Sequence, residues 1–389
     1  MVTKKICVIT ASRAEYGLLR WVMQDIRDAE GMLLQLIVTG SHRSKTHGMT
    51  INEIEADGFI INERISMALD KTSPHMLVSA TGGLMKDLSR SLAQLEPDLV
   101  LIVGDRYEMM AAVSACLIMT LPVAHIAGGE ITQGAIDEQV RHAITKIAHL
   151  HFVANETYAN RVTQMGEERW RICISGEPGL DTLHRQELLS REDLSADIGI
   201  DFSKPTALVT YHPVTLELNN LEQQLVNLAN AMKRAQDDYG IQYVITNPGA
   251  DAGNDRIISF WQNFISQRSN CKLFTNLGQR RYFSALKYST LMLGNSSSGI
   301  IETPSFNLPT INLGNRQLGR MRANNIFDVD CEADKIFNSI AKSLEYDKSA
   351  KCENPYGDGH SAARIISFIK YILGKHKKHV LLSKKFIDL

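Results

Sequence analysis

Short apolar runs alternate with longer amphipathic stretches along this chain. Continuous apolar runs predict strands over Lys5–Thr10, Leu34–Thr39, Asp98–Val103, Val123–Ile126, His151–Ala154 and Arg171–Ile174. A second series covers Ala207–Tyr211, Gln242–Thr246, Lys272–Thr275, Leu291–Leu293 and Thr310–Leu313. Strands that are apolar on both faces and spaced by helical lengths belong to parallel sheets covered by helices. The pattern predicts an α/β protein with two doubly wound, Rossmann-type domains. Residues 1–180 form the first and 205–360 the second. The polar stretch Asp181–Pro205 reads as the linker between them. Within residues 361–389, the amphipathic Ser361–Leu373 predicts a helix packing back across the domain junction.

One run, Ala111 to Gly129, is long enough for a membrane span, but Pro122 splits it. It predicts a buried helix ending near Met119, then the strand Val123–Ile126. The composition is that of a soluble globular protein, 44% hydrophobic and 22% charged over 389 residues. A formal net charge of -1 excludes the basic footprint of a nucleic-acid binder. Six scattered cysteines without a C-x-x-C, four of them in apolar runs, suit buried thiols in a reducing compartment. The N-terminal residues enter a strand at once, which leaves no room for a signal peptide, so a cytoplasmic location is expected.

The chemistry concentrates at strand ends. Leu291-Met292-Leu293 runs into Gly294-Asn295-Ser296-Ser297-Ser298-Gly299, then a helical segment carrying Glu302. Hydroxyls and backbone N–H groups at a helix start bind anions, and a carboxylate one turn on reaches a ribose diol. The segment reads as a cradle for a nucleoside diphosphate. The first strand leads into Ser12-Arg13-Ala14-Glu15, a capping box in which Arg13 sits at the helix start, either bystander or diphosphate ligand. Gly104-Asp105-Arg106-Tyr107-Glu108 offers Asp105 as an N-cap or as an acid or base. After Val123–Ile126, Gly128-Gly129 lets backbone approach a ligand, with Glu130 next, and Asp137 and Arg141 lie on neighbouring turns of a further helix. Asp105, Glu130 and Asp137 read either as a solvated rim or as converging carboxylates, whose repulsion would yield one acid and one base. His212, fixed by Pro213, reads as a strand-end residue or a phosphate contact. His149 and His151 share a strand face without a third ligand at metal spacing. The chain contains no G-x-G-x-x-G, no G-x-x-x-x-G-K-[ST] and no G-x-S-x-G, so dinucleotide, P-loop and nucleophile-elbow readings lose their support.

Taken in order, Ser12-Arg13-Ala14-Glu15-Tyr16-Gly17, Thr39-Gly40-Ser41-His42, Gly104-Asp105-Arg106-Tyr107-Glu108, Gly128-Gly129-Glu130, Asp137-Glu138 with Arg141-His142, Gly294–Gly299 and Gly314–Arg320 resemble the UDP-N-acetylglucosamine 2-epimerase family. The match spans roughly residues 5 to 370. The hydrolysing branch fits best. The non-hydrolysing branch typically reads Thr-Arg-Pro-Glu, Gly-Asp-Thr and Asp-Ser-Gly-Gly where this chain has Ser-Arg-Ala-Glu, Gly-Asp-Arg and Asn-Ser-Ser-Ser-Gly. The resemblance implies a GT-B-like pair of domains with the active site in the cleft between them, and neither metal nor nicotinamide cofactor. It implies anti elimination of UDP from UDP-N-acetylglucosamine to 2-acetamidoglucal, then hydration to N-acetylmannosamine for sialic or related nonulosonic acids. A UDP- or GDP-linked 2,4-diacetamido-2,4,6-trideoxyglucose, used for legionaminic acid, is the alternative donor, and a GT-B glycosyltransferase the alternative activity. By position, Asp105, Glu130 and Asp137 match catalytic carboxylates. Arg13, His212, Ser297 and Ser298 match diphosphate contacts, Glu302 the ribose ligand and Tyr282 a uracil-stacking aromatic. His42, Arg141, Asn295, Ser296 and Gly299 fall in the same substrate motifs. The expected partners are the UDP-sugar and further copies of the chain, as a homodimer or homotetramer, with no nucleic acid and no membrane.

Overall fold

The computed structural model describes residues 3–44, 48–67, 74–132, 136–214, 218–248, 253–266 and 268–388. Two compact units are present. The first comprises the chain up to Glu130, Ile136–Thr182 and everything from Tyr356 on. The second is essentially Leu183–Pro355.

The first unit holds β1 (Lys4–Thr10), β2 (Met32–Val38), β3 (Glu63–Arg64), β4 (Leu99–Val103), β5 (Val123–Ile126), β6 (Leu150–Val153) and β7 (Ile172–Ile174). They pair in parallel in the order β3-β2-β1-β4-β5-β6-β7. Successive side chains of a strand point to opposite faces. Ile6, Val8, Leu99, Leu101 and Val103 therefore pack on one side, against Leu19, Val22, Met23 and Ile26 of the Arg13–Asp28 helix. Cys7, Ile9, Val100 and Ile102 pack on the other, against the Pro74–Leu95 and Tyr107–Ile118 helices. The Tyr107–Ile118 helix ends one residue before Met119, and β5 follows where the sequence puts it.

The second unit holds β8 (Thr206–Thr210), β9 (Gln242–Thr246), β10 (Cys271–Phe274), β11 (Leu291–Gly294), β12 (Thr310–Leu313) and β13 (Ile326–Val329). Their order is β10-β9-β8-β11-β12-β13, again all parallel. Numbered within the unit this is 3-2-1-4-5-6, the doubly wound order. In both sheets the order reverses beside the first strand, between β1 and β4 and between β8 and β11. Loops at the carboxyl ends of those strands form the crevice where such sheets bind ligands.

The stretch Asp181–Pro205 is not a linker. It carries the Arg191–Ile198 helix, capped by the Ser190 side chain on the Asp193 N–H. Leu194, Ile198, Ile200 and Phe202 enter a core with Leu208, Val244 and Met292 of the second sheet. The chain re-enters the first unit at Tyr356, and the Ser361–Lys375 helix buries Ile365, Ile366, Ile369 and Ile372 against the same core face as the Arg13–Asp28 helix. The six cysteines are free thiols. No helix is long and apolar enough to cross a membrane among the described residues.

Candidate active site

Both switch points carry the residues singled out in the sequence. After β1, Ser12 caps the Arg13–Asp28 helix by accepting from the Glu15 N–H at 3.4 Å, and Glu15 Oε2 accepts from the Ser12 and Ala11 N–H groups at 3.2 and 2.6 Å. Arg13 opens the helix. Its guanidinium is about a third exposed and pairs with Glu53 at 3.3 Å, a surface ion pair that is weak and readily exchanged. Burial, reinforced by Glu108, pushes the Glu15 carboxyl up to about 8.

After β4, Asp105 does not cap the next helix; Arg106 occupies that position without a side-chain cap bond. Asp105 instead accepts from the Arg141 guanidinium, which is almost wholly buried. Asp137, the first residue of the Asp137–Ile147 helix, lies one turn before Arg141, so one arginine ties a strand-end carboxylate to the start of that helix. Arg106 folds over the Tyr107 ring and makes a two-pronged bond to buried Glu108, at 3.1 and 3.0 Å. His125, on β5, donates from Nε2 to the Gly104 carbonyl at 2.7 Å while Nδ1 meets the Thr145 hydroxyl at 3.2 Å. Burial pushes this ring down to about 3, so it stays neutral and acts as a brace under the Asp105 turn.

Glu130 is buried at the end of a constrained loop. Ala127 takes φ +68, a left-handed conformation costing about 1 kcal/mol in a non-glycine residue. Gly129 serves packing rather than ligand approach: with φ +75, an added Cβ would lie 2.6 Å from the Tyr158 carbonyl oxygen.

In the second unit, Gly294 ends β11 with φ +141, and an added Cβ would meet the Thr210 carbonyl oxygen at 1.9 Å. Only glycine brings the two strand ends this close. Asn295 is fully buried. Its side chain accepts from the His212 N–H at 2.6 Å and donates to the His212 carbonyl at 2.8 Å, while its own carbonyl takes bonds from Gln317 and Arg316 at 2.9 and 3.2 Å. Asn295 is thus a clamp joining the ends of β8 and β11, and it fixes His212 at the edge. Burial, with Arg316 nearby, lowers the His212 ring to about 3, so it enters any anion contact as a neutral hydrogen-bonding group. Thr215, at the end of the His212 stretch, lies outside the described residues.

The helix after the serines is a single turn, Ser298–Ile301, followed by a tighter turn over Thr303–Phe306 that contains Pro304. An extended helix dipole is therefore absent here, and the Ser298, Gly299 and Ile300 N–H groups are already bonded to Ser296 Oγ and to the Ser296 and Ser297 carbonyls, so the cradle relies on the Ser296, Ser297 and Ser298 hydroxyls. Gly299 is packed 3.0 Å (as an added Cβ) from Thr310. Glu302 faces Ser298 with its Oε2 buried and unpartnered, and burial pushes its carboxyl up from the usual range.

Two of the expected contact residues have partners within their own units. His42 is fully buried, with Nε2 on the Thr10 hydroxyl at 3.0 Å and Nδ1 on the Thr50 hydroxyl at 2.8 Å. It braces the β1 and β2 ends and has no nitrogen left for a substrate. Tyr282 gives its hydroxyl to Ser298 at 2.5 Å and packs edge-on to Phe283, so its ring is engaged within the second unit. The sequence reads Glu15 correctly as a capping residue but not its raised carboxyl, and it assigns Glu108 and Arg320 no individual role. The last acts electrostatically on Glu302, and its Gly-Arg motif was visible in the sequence without a partner to interpret it.

The family model for UDP-N-acetylglucosamine 2-epimerase matches residues 24–370. A GDP/UDP-N,N'-diacetylbacillosamine 2-epimerase (hydrolysing) of Campylobacter jejuni is 37% identical over the full length of both chains. A UDP-N,N'-diacetylbacillosamine 2-epimerase (hydrolysing) of Legionella pneumophila is 36% identical, covering 95% of this chain and 96% of that one. In fold, the chain is similar to a UDP-N-acetylglucosamine 2-epimerase of Neisseria meningitidis solved with UDP-N-acetylglucosamine bound. The TM-score is 0.81 and the identity 19%, with 95% of this chain and 100% of that one covered. The chain belongs to the UDP-N-acetylglucosamine 2-epimerase family and is an enzyme of its hydrolysing branch.

Proposed function

We propose that this enzyme converts a UDP-linked 2-acetamido sugar and water to UDP and the free 2-epimeric sugar. The observation that carries the reading is the pairing of roles at the two switch points. At the first, buried Arg141 pairs with Asp105 and lies 3.7 Å from Glu138, while the Ser296–Ser298 hydroxyls and Glu302 gather at the second. The second set suits a nucleoside diphosphate. The first suits proton transfer on its sugar.

In this reading Asp105, Glu130 and Asp137 supply the base that removes the C-2 proton and the acid and base that add water to the glycal. A C-2 hydrogen is a poor acid, so C–O cleavage runs ahead and negative charge builds on the departing diphosphate. Arg13 accepts that charge readily because its resting partner is only a surface carboxylate. Within the second unit, Ser296, Ser297 and a neutral His212 are the groups that would hydrogen-bond a diphosphate. His42 is left out of the contact set, and Asn295, Gly299 and Arg141 act by holding their neighbours. A cytoplasmic, homo-oligomeric protein remains the expectation that goes with this chemistry.

For the sugar, the sequence motifs put N-acetylglucosamine first. The Campylobacter and Legionella relatives, 37% and 36% identical, are both named for N,N'-diacetylbacillosamine, a 2,4-diacetamido-2,4,6-trideoxy sugar. Their likeness over the whole chain moves that donor ahead. The test is kcat/KM for UDP-N-acetylglucosamine and for UDP- and GDP-N,N'-diacetylbacillosamine, each incubated without an acceptor. We expect the UDP-linked diacetylated donor to lead UDP-N-acetylglucosamine by at least ~10-fold, the discrimination a few pocket contacts supply. The reverse order restores N-acetylglucosamine. Release of UDP only when a sugar acceptor is added assigns a glycosyltransferase instead.

A further inference from the structure

Glu302 carries a buried carboxyl oxygen, Oε2, with no partner. A carboxylate oxygen is an acceptor only, so this atom awaits a donor. A diphosphate offers none and would repel it. A ribose diol offers two.

The group beside Glu302 is Ser298. The Tyr282 hydroxyl donates to Ser298 Oγ at 2.5 Å. A serine hydroxyl has one proton. With its oxygen occupied by Tyr282, Ser298 has that proton to give, and the Glu302 carboxyl is the acceptor its hydroxyl faces. Behind Tyr282 stands the Thr210 hydroxyl, itself bonded to Thr246 at 2.6 Å. Hydroxyls from β9, β8, the Gly278–Tyr288 helix and the Ser298 turn thus line up toward one carboxylate, and such chains polarise in one direction.

We propose that Tyr282 is a positioning residue that commits the Ser298 proton to Glu302 and so aims the open Glu302 oxygen at the 2′,3′-diol of a ribonucleotide. The inference rests on the reading that the Gly294–Gly299 turn binds a nucleoside diphosphate. It moves Ser298 from the phosphates, where family resemblance puts it, to the ribose side, and leaves Ser296 and Ser297 for the phosphates. It also gives the Tyr282 hydroxyl a role separate from any stacking of its ring on a base.

The test compares affinities for UDP and 2′,3′-dideoxy-UDP by titration calorimetry in the full-length enzyme and in Tyr282→Phe, Ser298→Ala, Ser297→Ala and Glu302→Gln. Tyr282→Phe keeps the ring, so packing is preserved, and thermal melting checks each fold. The parent should prefer UDP by about 10- to 100-fold, the range for hydrogen bonds to a charged group. Tyr282→Phe, Ser298→Ala and Glu302→Gln should each shrink that preference at least ~5-fold while dideoxy-UDP binds nearly as before. Ser297→Ala should weaken both ligands in parallel. An undiminished preference in Tyr282→Phe overturns the positioning role. A parallel loss of both ligands in Ser298→Ala returns Ser298 to the phosphates and overturns the reassignment. Failure of the parent enzyme to bind UDP overturns the underlying functional reading instead.

Discussion

Arg141 and Asp105 set the electrostatics at the first switch point. The arginine side chain is only 4% exposed and the aspartate 23%. Deleting one partner of a pair this buried strands the other charge, at about 3–5 kcal/mol. Isosteric substitutions keep the shape but not the charge, and at Asp105 the stranded Arg141 retains Glu138 at 3.7 Å, which makes them the informative ones. Asp105→Asn, Glu130→Gln and Asp137→Asn should fold and still bind UDP but lose at least ~10²-fold in kcat, the usual share of a general acid or base. Steady-state kinetics decides each residue separately, and a near-parental rate removes it from the catalytic set. Glu15 makes a second prediction. Its carboxyl is raised to about 8 in the folded chain, against a lower value when unfolded, so the folded state holds the extra proton. Stability contributed by that proton is full at low pH and declines as pH rises toward 8. His42, His125, His149, His151 and His212 are depressed and work the other way, because over this window only their unfolded forms lose protons, so the comparison with a Glu15 variant is what isolates Glu15. Urea unfolding at pH 6.5 and pH 8 should show Glu15→Gln gaining roughly 1–2 kcal/mol on the parent over this interval. An equal change in both proteins contradicts the assignment. At this scale the acids at strand ends were legible, because residue type and position after an apolar run suffice. The state of Glu15 and the burial of His42 were not, because each depends on partners tens of residues away: Glu108, Thr10 and Thr50.

Elements were legible where both faces are buried. Interior strands such as β4 and β11 read as unbroken apolar runs. The edge strands β3 and β13 were missed, because a strand packed on few neighbours keeps polar residues: Glu63-Arg64 and Asp328 in Ile326–Val329. The Arg191–Ile198 helix reads as linker in the sequence because its buried residues, Leu194 and Ile198, are only two among polar neighbours. The Ser361–Lys375 helix was found, but what starts it was hidden. His360 makes no side-chain cap bond. Asp181, some 180 residues earlier, accepts from the Ser361 and Ala362 N–H groups at 2.7 Å each. A carboxylate at a helix start satisfies open donors and the dipole together. Asp181→Ala should therefore cost about 2–4 kcal/mol, more than a surface cap, because the donors are buried. Thermal melting measures this, and a midpoint within a degree of the parent would show that the helix is held by its apolar face alone.

At the scale of the whole chain, one topology is used twice, and the residues with chemical potential fall beside the first strand of each sheet. The repetition follows from the sequence, since Leu101–Asp105 and Leu291–Asn295 are both apolar strands ending in glycine and a polar residue. The return of the C-terminal segment to the first unit follows from its apolar face, Ile365, Ile369 and Ile372. The division of labour proposed above rests on composition at the edges: Asp105 paired with arginine in one unit, hydroxyls and Glu302 in the other. That division is the central claim, because it assigns proton transfer at the sugar to one unit and retention of the nucleotide to the other. It requires that the C-2 proton be exchanged and that the sugar C–O bond be the one broken.

The direct measurement is turnover of the preferred UDP-sugar in deuterated water and, separately, in ¹⁸O-water, with both products read by mass spectrometry. Elimination followed by hydration puts deuterium at C-2 of the released sugar, puts ¹⁸O at its C-1 and leaves UDP unlabelled. Retention of the C-2 hydrogen would contradict proton abstraction by Asp105, Glu130 or Asp137, and ¹⁸O in UDP would mean that water attacks phosphorus and that no glycal forms.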